Sequence, residues 1–218
     1  GWECVTIEDI KKCKPANKSL CSGQVLHCPY NYEQSKLILK EMVDELVLEM
    51  VEKGFITDML VLTIEYDIEN LKNSKYNRMY VGEIKEDKYG RKVPKPAHGT
   101  LRLEEPTSST KQIKEGFIKL YDKIINKGLL TRKMYLTVGN LTKEEINHQQ
   151  ETYEQINLFT DYAKVEKQKI ALEKEKNKQK TIINLKNKYG KNIIVKAIDL
   201  EEDATAIERN KQIGGHKS

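Results

Sequence analysis

The stretch Gln155-Ile156-Asn157-Leu158-Phe159 sets a glutamine three residues ahead of a Leu-Phe pair, between a polar run from Asn147 to Glu154 and Thr160-Asp161. In a polar linker such a peptide can dock on another protein. Ile156, Leu158 and Phe159 supply apolar bulk for a pocket, while the Gln155 amide hydrogen-bonds at its rim. A second group lies between Lys85 and His98, where Lys85, Lys88, Arg91, Lys92 and Lys95 outnumber Glu86 and Asp87. Cations at that density suit phosphate. Catalytic sets are harder to find. Asp67 and Glu69 could pair by spacing but fit no metal-binding pattern, and His27, His98, His148 and His216 have no Ser or Cys partner implied by spacing. Cys4, Cys13, Cys21 and Cys28 are spaced far more widely than the C-x-x-C pairs of zinc sites and read as free reduced thiols. His27 beside Cys28 adds little, because neighbours on a strand point to opposite faces. No catalytic residue and no metal ligand is therefore assigned.

The elements that must position these groups follow from punctuation and periodicity. Thr6-Ile7-Glu8-Asp9 starts a short helix that Pro15 ends, and Leu20 to His27 reads as a strand terminated by Pro29. Asn31 and Gln34 have capping-box spacing, Ile38, Met42, Leu46 and Met50 recur every four residues, and Gly54 closes that helix. Ser109 and Gln112 open a second one, with Ile113, Phe117, Leu120, Tyr121, Ile124 and Ile125 on one face and Gly128 at its end. Met59 to Tyr66, His98 to Leu103 and Lys133 to Val138 read as strands. The order strand, helix, strand, strand, helix, strand predicts an α+β domain, a β-α-β-β-α-β unit with two helices on one face of a four-stranded sheet. Residues 67 to 97 are too many for an empty loop. The sheet is expected to extend there as a ribbon, with Tyr80 to Ile84 on one arm and Tyr89-Gly90 at the turn. A helix from about Tyr162 to Tyr189 follows, bearing nine Lys and three Glu, stopped by Gly190 and too sparse in apolar residues for a strong coiled coil.

The 218 residues carry 33% charged and 38% hydrophobic side chains with a net charge of +5. This balance permits a nucleic-acid partner without requiring one. No apolar run approaches the roughly 18 residues that span a bilayer, and no signal-peptide pattern opens the chain, so no membrane partner and a cytoplasmic place are expected. Gly1 stands where Met would begin a gene product, so the chain reads as a piece of a longer one.

Ser22-Gly23-Gln24-Val25-Leu26-His27, the Asp87-Lys88-Tyr89-Gly90-Arg91-Lys92 ribbon, Ala97-His98-Gly99-Thr100 and the ending from Glu208 to Lys217 together resemble one group. They are similar to the C-terminal half of Y-family translesion DNA polymerases of the UmuC/DinB type, in the Gram-positive form. The resemblance implies the end of a thumb and linker over 1–17, a little-finger DNA-binding domain over 18–144, a linker with a clamp-binding peptide over 145–161, a basic helix over 162–190 and a tail over 191–218. It also implies primer-template DNA, held through phosphates, as a partner in DNA repair and lesion bypass. The residues nominated for that contact are Ser22, Gly23, Gln24, Lys88, Arg91, Lys92, Lys95, His98, Thr100 and Arg102. Bacterial sliding clamps bind peptides of the Gln155–Phe159 form, which makes Gln155, Ile156, Leu158 and Phe159 the clamp-binding residues. Ile156 and Asn157 depart mildly from the common bacterial form. The remaining partner implied is the polymerase core of the same protein. Its palm carboxylates would hold Mg2+ for nucleotidyl transfer; nothing in this chain matches them, so no cofactor and no polymerase activity are expected of the chain by itself. The alternative reading is a protein-binding adaptor with no role on DNA.

Overall fold

The structure, a computed structural model, describes residues 5–12, 18–73, 80–87, 89–144 and 162–212. After a short helix α1 (Ile7–Lys12), capped by the Thr6 hydroxyl and the Asp9 carboxylate, the chain enters the central sheet. Its strands are β1 (Leu20–Tyr30), β2 (Phe55–Tyr66), β5 (Ala97–Thr107) and β6 (Thr131–Gly139), arranged β1-β6-β2-β5 with every neighbouring pair antiparallel. A two-residue β7 (Thr142–Lys143) continues the ladder along the start of β2, after Asn140 turns the chain at positive φ.

Helix α2 (Tyr32–Glu52) links β1 to β2, which run parallel with β6 between them; α4 (Thr110–Ile124) links β5 to β6 across β2. Both helices lie on the same face, and the core forms there. Leu60, Leu62 and Ile64 of β2 and Met134, Leu136 and Val138 of β6 are fully buried against Ile38, Met42, Leu46, Ile113 and Phe117. Their alternation along each strand follows from the period of two. Gly99 and Gly116 let the layers close: a Cβ on Gly99 would meet Leu120 and Ile124 below 3.0 Å, and one on Gly116 would meet Leu60. The α+β architecture is as the sequence predicts, and the capping box at Asn31 and Gln34 is present in full.

Four details differ. β1 runs past Pro29 to Tyr30, because the register shifts between Val25 and Tyr30 and this irregular stretch needs no ladder N–H from proline. Helix α4 ends at Ile124, ahead of Gly128, where Ile125 turns extended and donates its N–H to the Tyr121 carbonyl. The ribbon is narrower than expected and separate from the central sheet. Its arms are β3 (Ile84–Glu86) and β4 (Lys92–Pro94), joined by a turn in which Gly90 takes φ +74°. Between β2 and the ribbon comes the one-turn helix α3 (Glu69–Lys72).

Beyond the helices lies a third layer. Helix α5 (Tyr162–Tyr189) ends at Gly190 (φ +99°), and a 3-10 turn (Ala197–Leu200) and the short α6 (Ala206–Arg209) follow. These pack on the outer side of α2 and on the start of α4. The run Ile193 to Ile198 forms no strand. This third layer explains why α2 buries Glu41 and Asp44 as well as its apolar residues: one side faces the sheet, the other the tail.

Candidate nucleic-acid interface

The face of the sheet away from α2 and α4 carries mostly exposed and half-buried side chains. Register assigns its side chains, since directly paired residues share a face. Successive rows read Val25–Lys133–Glu65, Gly23–Tyr135–Thr63–His98, Cys21–Thr137–Val61–Thr100 and Gly139–Met59–Arg102. His98, Thr100 and Arg102, nominated from sequence, therefore stand side by side on edge strand β5, all exposed. The Thr63 hydroxyl lies 2.9 Å from His98 Nδ1 and fixes the imidazole across the strand pair. Arg102 makes no ion pair among the described residues. Lys133 is tied to Glu65 at 2.8 Å, and that hydrogen bond raises the ammonium pKa. The face is a surface of small hydroxyl, β-branched and aromatic residues with few charges.

On β1 the nominated triplet divides. Gly23 is on the open face beneath the Tyr135 ring, where an added Cβ would sit 2.7 Å from Cδ1, so this approach needs glycine. Ser22 and Gln24 pair with Leu136 and Met134 and so stand on the helix side. Gln24 is held there by the tail: its amide donates to the Thr205 hydroxyl at 2.8 Å, and the Arg209 guanidinium donates to its carbonyl. Neither side chain is offered by the open face. What remains available at these positions is the backbone of an edge strand, because among the described residues β1 pairs only with β6.

The ribbon places Arg91, Lys92 and Lys95 in solvent, but two of the three are engaged. Arg91 Nε donates to Asp87 at 2.7 Å, and Asp87 also accepts the amides of Tyr89 and Arg91. The Arg91 side chain and these amides draw the Asp87 carboxyl down to about 2. Lys95 donates to Glu83 at 2.7 Å, which lowers the Glu83 carboxyl and raises the lysine. Lys92 carries no ion pair among the described residues. Lys88 and the peptide residues Gln155, Ile156, Leu158 and Phe159 lie outside the described residues.

Sequence reasoning missed Tyr135, Thr63, Thr137 and Lys133, which build the middle of the open face. The signal was present as the alternation of Lys133, Tyr135 and Thr137 with the buried Met134, Leu136 and Val138. Asp67 and Glu69 form no metal pair: the Asp67 carboxylate accepts the Glu69 amide at 2.8 Å and faces Arg132 at 3.6 Å, opening α3. No group of three His, Cys, Asp or Glu is arranged to hold a metal among the described residues, and no helix there is long and apolar enough to cross a membrane. Cys21 and Cys28 are exposed thiols.

The family model described as the impB/mucB/samB family C-terminal domain matches residues 17–158, the central sheet and its helices included. The chain belongs to this family. The resemblance to the C-terminal part of UmuC/DinB-type Y-family polymerases is thereby borne out. DNA polymerase IV 2 of Bacillus subtilis (strain 168) is 30% identical over 116 residues, which are 53% of this chain and 24% of that protein. The chain thus spans about a quarter of that relative's length. A solved structure described as a complex of the beta-clamp processivity factor and the little finger domain of PolIV is similar at a TM-score of 0.36 and 9% identity, covering 56% of this chain and 86% of that one.

Proposed function

We propose that this impB/mucB/samB-family chain is the DNA-binding and clamp-tethering region of a Y-family translesion DNA polymerase, acting beside that protein's own catalytic core and not polymerising by itself. The observation that supports this most is the uncovered sheet face. Helices α2 and α4 and the described part of the tail lie on the opposite side, leaving a surface with exposed His98, Thr100 and Arg102 at one edge and, at the other, an edge of β1 that no described strand pairs. Hydroxyls, strand amides and a few cations hold a phosphate backbone without reading bases, as an enzyme accepting damaged templates requires. The tether reading rests on the chemistry of Gln155, Ile156, Leu158 and Phe159. A tether raises the local concentration of the enzyme at a primer end without adding a contact at the active site.

The test is a titration of the chain onto primed DNA across a salt series. Affinity should fall steeply with salt and depend little on sequence, and Arg102→Gln with Lys133→Gln should lower the log–log slope by about 0.9 per lost phosphate contact. A flat salt response removes the interface. Calorimetry with a bacterial sliding clamp tests the tether: Leu158→Ala with Phe159→Ala should abolish clamp binding while duplex affinity stays unchanged, and intact clamp binding by this variant removes the peptide from the account. Primer extension by the purified chain would overturn the non-catalytic reading.

A further inference from the structure

The strongest concentration of unpaired positive charge in the described chain lies on α5, away from the face discussed above. The helix docks through its acidic, amide and apolar residues. Glu175 accepts the Ser109 hydroxyl at 2.7 Å and the Lys111 amide at 3.2 Å, buried Gln179 donates to the Ser108 carbonyl and the Thr110 hydroxyl, and Asn187 donates to Glu52. Among its lysines, Lys176 turns inward to Glu144 at 2.8 Å. Lys167, Lys174, Thr181 and Lys188 recur every seven residues and so form one row along the outer side, with Ile170, Asn177 and Lys178 between them, all exposed. From Lys167 to Lys188 the row is about 31 Å long. It contains no acid, though Glu166 and Glu173 border it as the i−4 neighbours of Ile170 and Asn177. Lys167, Lys174, Lys178 and Lys188 make no ion pair among the described residues, in contrast to Arg91 and Lys95 of the ribbon. Lys188 does lie over the Tyr189 ring, at 5.1 Å.

From this arrangement we infer that the outer row of α5 is a second DNA-binding surface, which holds the phosphate backbone of a duplex without reading its sequence. Charge complementarity selects the partner. Four lysines supply ammonium donors to anionic oxygens, with the Asn177 amide between them and the Thr181 hydroxyl turned to the Asn177 carbonyl at 2.9 Å, and a duplex presents one phosphate charge per roughly 1.7 Å along a comparable length. Its apolar members are exposed Ile170, the small Ala171 and half-buried Leu185, which give no aromatic anchor for a protein pocket and no continuous apolar face to enter a lipid interface. Because α5 rests on the outer side of the α2–α4 layer, this row points away from the open sheet face. One straight duplex, about 20 Å wide, cannot lie on both, so the chain binds two DNA segments, one on each side. The α5 surface stands on its own geometry and survives even if the sheet face binds nothing.

The experiment uses the 218-residue chain with a 20-bp duplex, followed by anisotropy between 50 and 200 mM salt. Replacing Lys167, Lys174, Lys178 and Lys188 by Gln should lower the log–log salt slope by about 3 to 4, at about 0.9 per contact; replacing the same four by Arg should leave it unchanged. A slope untouched by the Gln variant, with its circular dichroism intact, overturns the inference. Capture provides the second readout: chain held on one biotinylated duplex should retain a second, labelled duplex, and the Gln variant should retain at least tenfold less. Equal retention by the Gln variant also overturns it. The Arg102→Gln/Lys133→Gln variant separates the two surfaces. If it alone changes the slope, only the sheet face binds and the α5 row is excluded. If the α5 variant alone changes it, the row stands and the sheet reading falls.

Discussion

Asp87 illustrates how a single carboxylate can decide what a basic ribbon offers a ligand. It gathers the Tyr89 and Arg91 amides and the Arg91 guanidinium into one turn, and these bonds to the charged form hold its carboxyl at about 2. A folded pKa below the unfolded value contributes stability that is fully present above about 3.8 and lost as pH falls through about 2. The ribbon turn should therefore keep its amide shifts for Tyr89 and Arg91 down to pH 4 and lose them below 3, in step with the Asp87 carboxyl carbon, when followed by NMR. A titration midpoint near 3.8 would mean that the pair does not form. The same bond limits Arg91 as a phosphate ligand, since a phosphate must share or displace Asp87. Asp87→Asn should weaken that competition and raise duplex affinity at low salt, whereas Lys92, without an ion pair, should respond to no such change.

Among the elements, those with a strong apolar period were the legible ones. The α2 and α4 starts follow from Asn31, Gln34 and Ser109, the strands from alternation, and the Tyr162–Tyr189 helix from its composition and the Gly190 stop. The facing of Ser22 and Gln24 was not legible, because a strand flanked by small polar residues on both sides carries no hydrophobic contrast to fix its register. Nor was the docking of α5, which uses Glu175, Gln179 and Asn187, polar residues that look solvated in a sequence. The bonds of buried Gln179 specify a position most strongly, since a buried partner left unsatisfied costs about 1–3 kcal/mol. Gln179→Ala strands the Ser108 carbonyl and should loosen α5 by about that amount. Hydrogen exchange should show faster exchange for α5 amides with no change in β2 and β6; uniform loss across the sheet would mean that α5 is integral to the core.

At the level of the whole molecule, the tail closes over α2 around the buried carboxylates of Glu41 and Asp44. Glu41 accepts the Thr205 and Ala206 amides at 3.0 and 3.2 Å and the Thr205 hydroxyl at 3.3 Å, while Arg209 of the same segment bonds Gln24 and Glu45. Lys196 meets Asp44 at 2.7 Å, and Gln34 donates to Asp203 at 3.0 Å, so the contacts span β1 and most of α2. Burial pushes the Glu41 carboxyl above its usual range; the two amides and Arg209 oppose the shift, and nearby Asp199 adds to it. A carboxyl with a raised folded pKa stabilises the docked tail fully below its unfolded value of about 4.5, and that contribution fades as pH rises through the folded pKa. Docking should therefore tighten as pH falls from neutral toward about 4.5. The readout is the exchange protection of the Ala206–Arg209 amides, corrected for intrinsic rates, which should increase over that interval in the wild type and stay level in Glu41→Gln. Protection that falls with acidification would show that the amide hydrogen bonds to ionised Glu41 outweigh its burial, leaving the ionised carboxylate as the stabilising form of the latch.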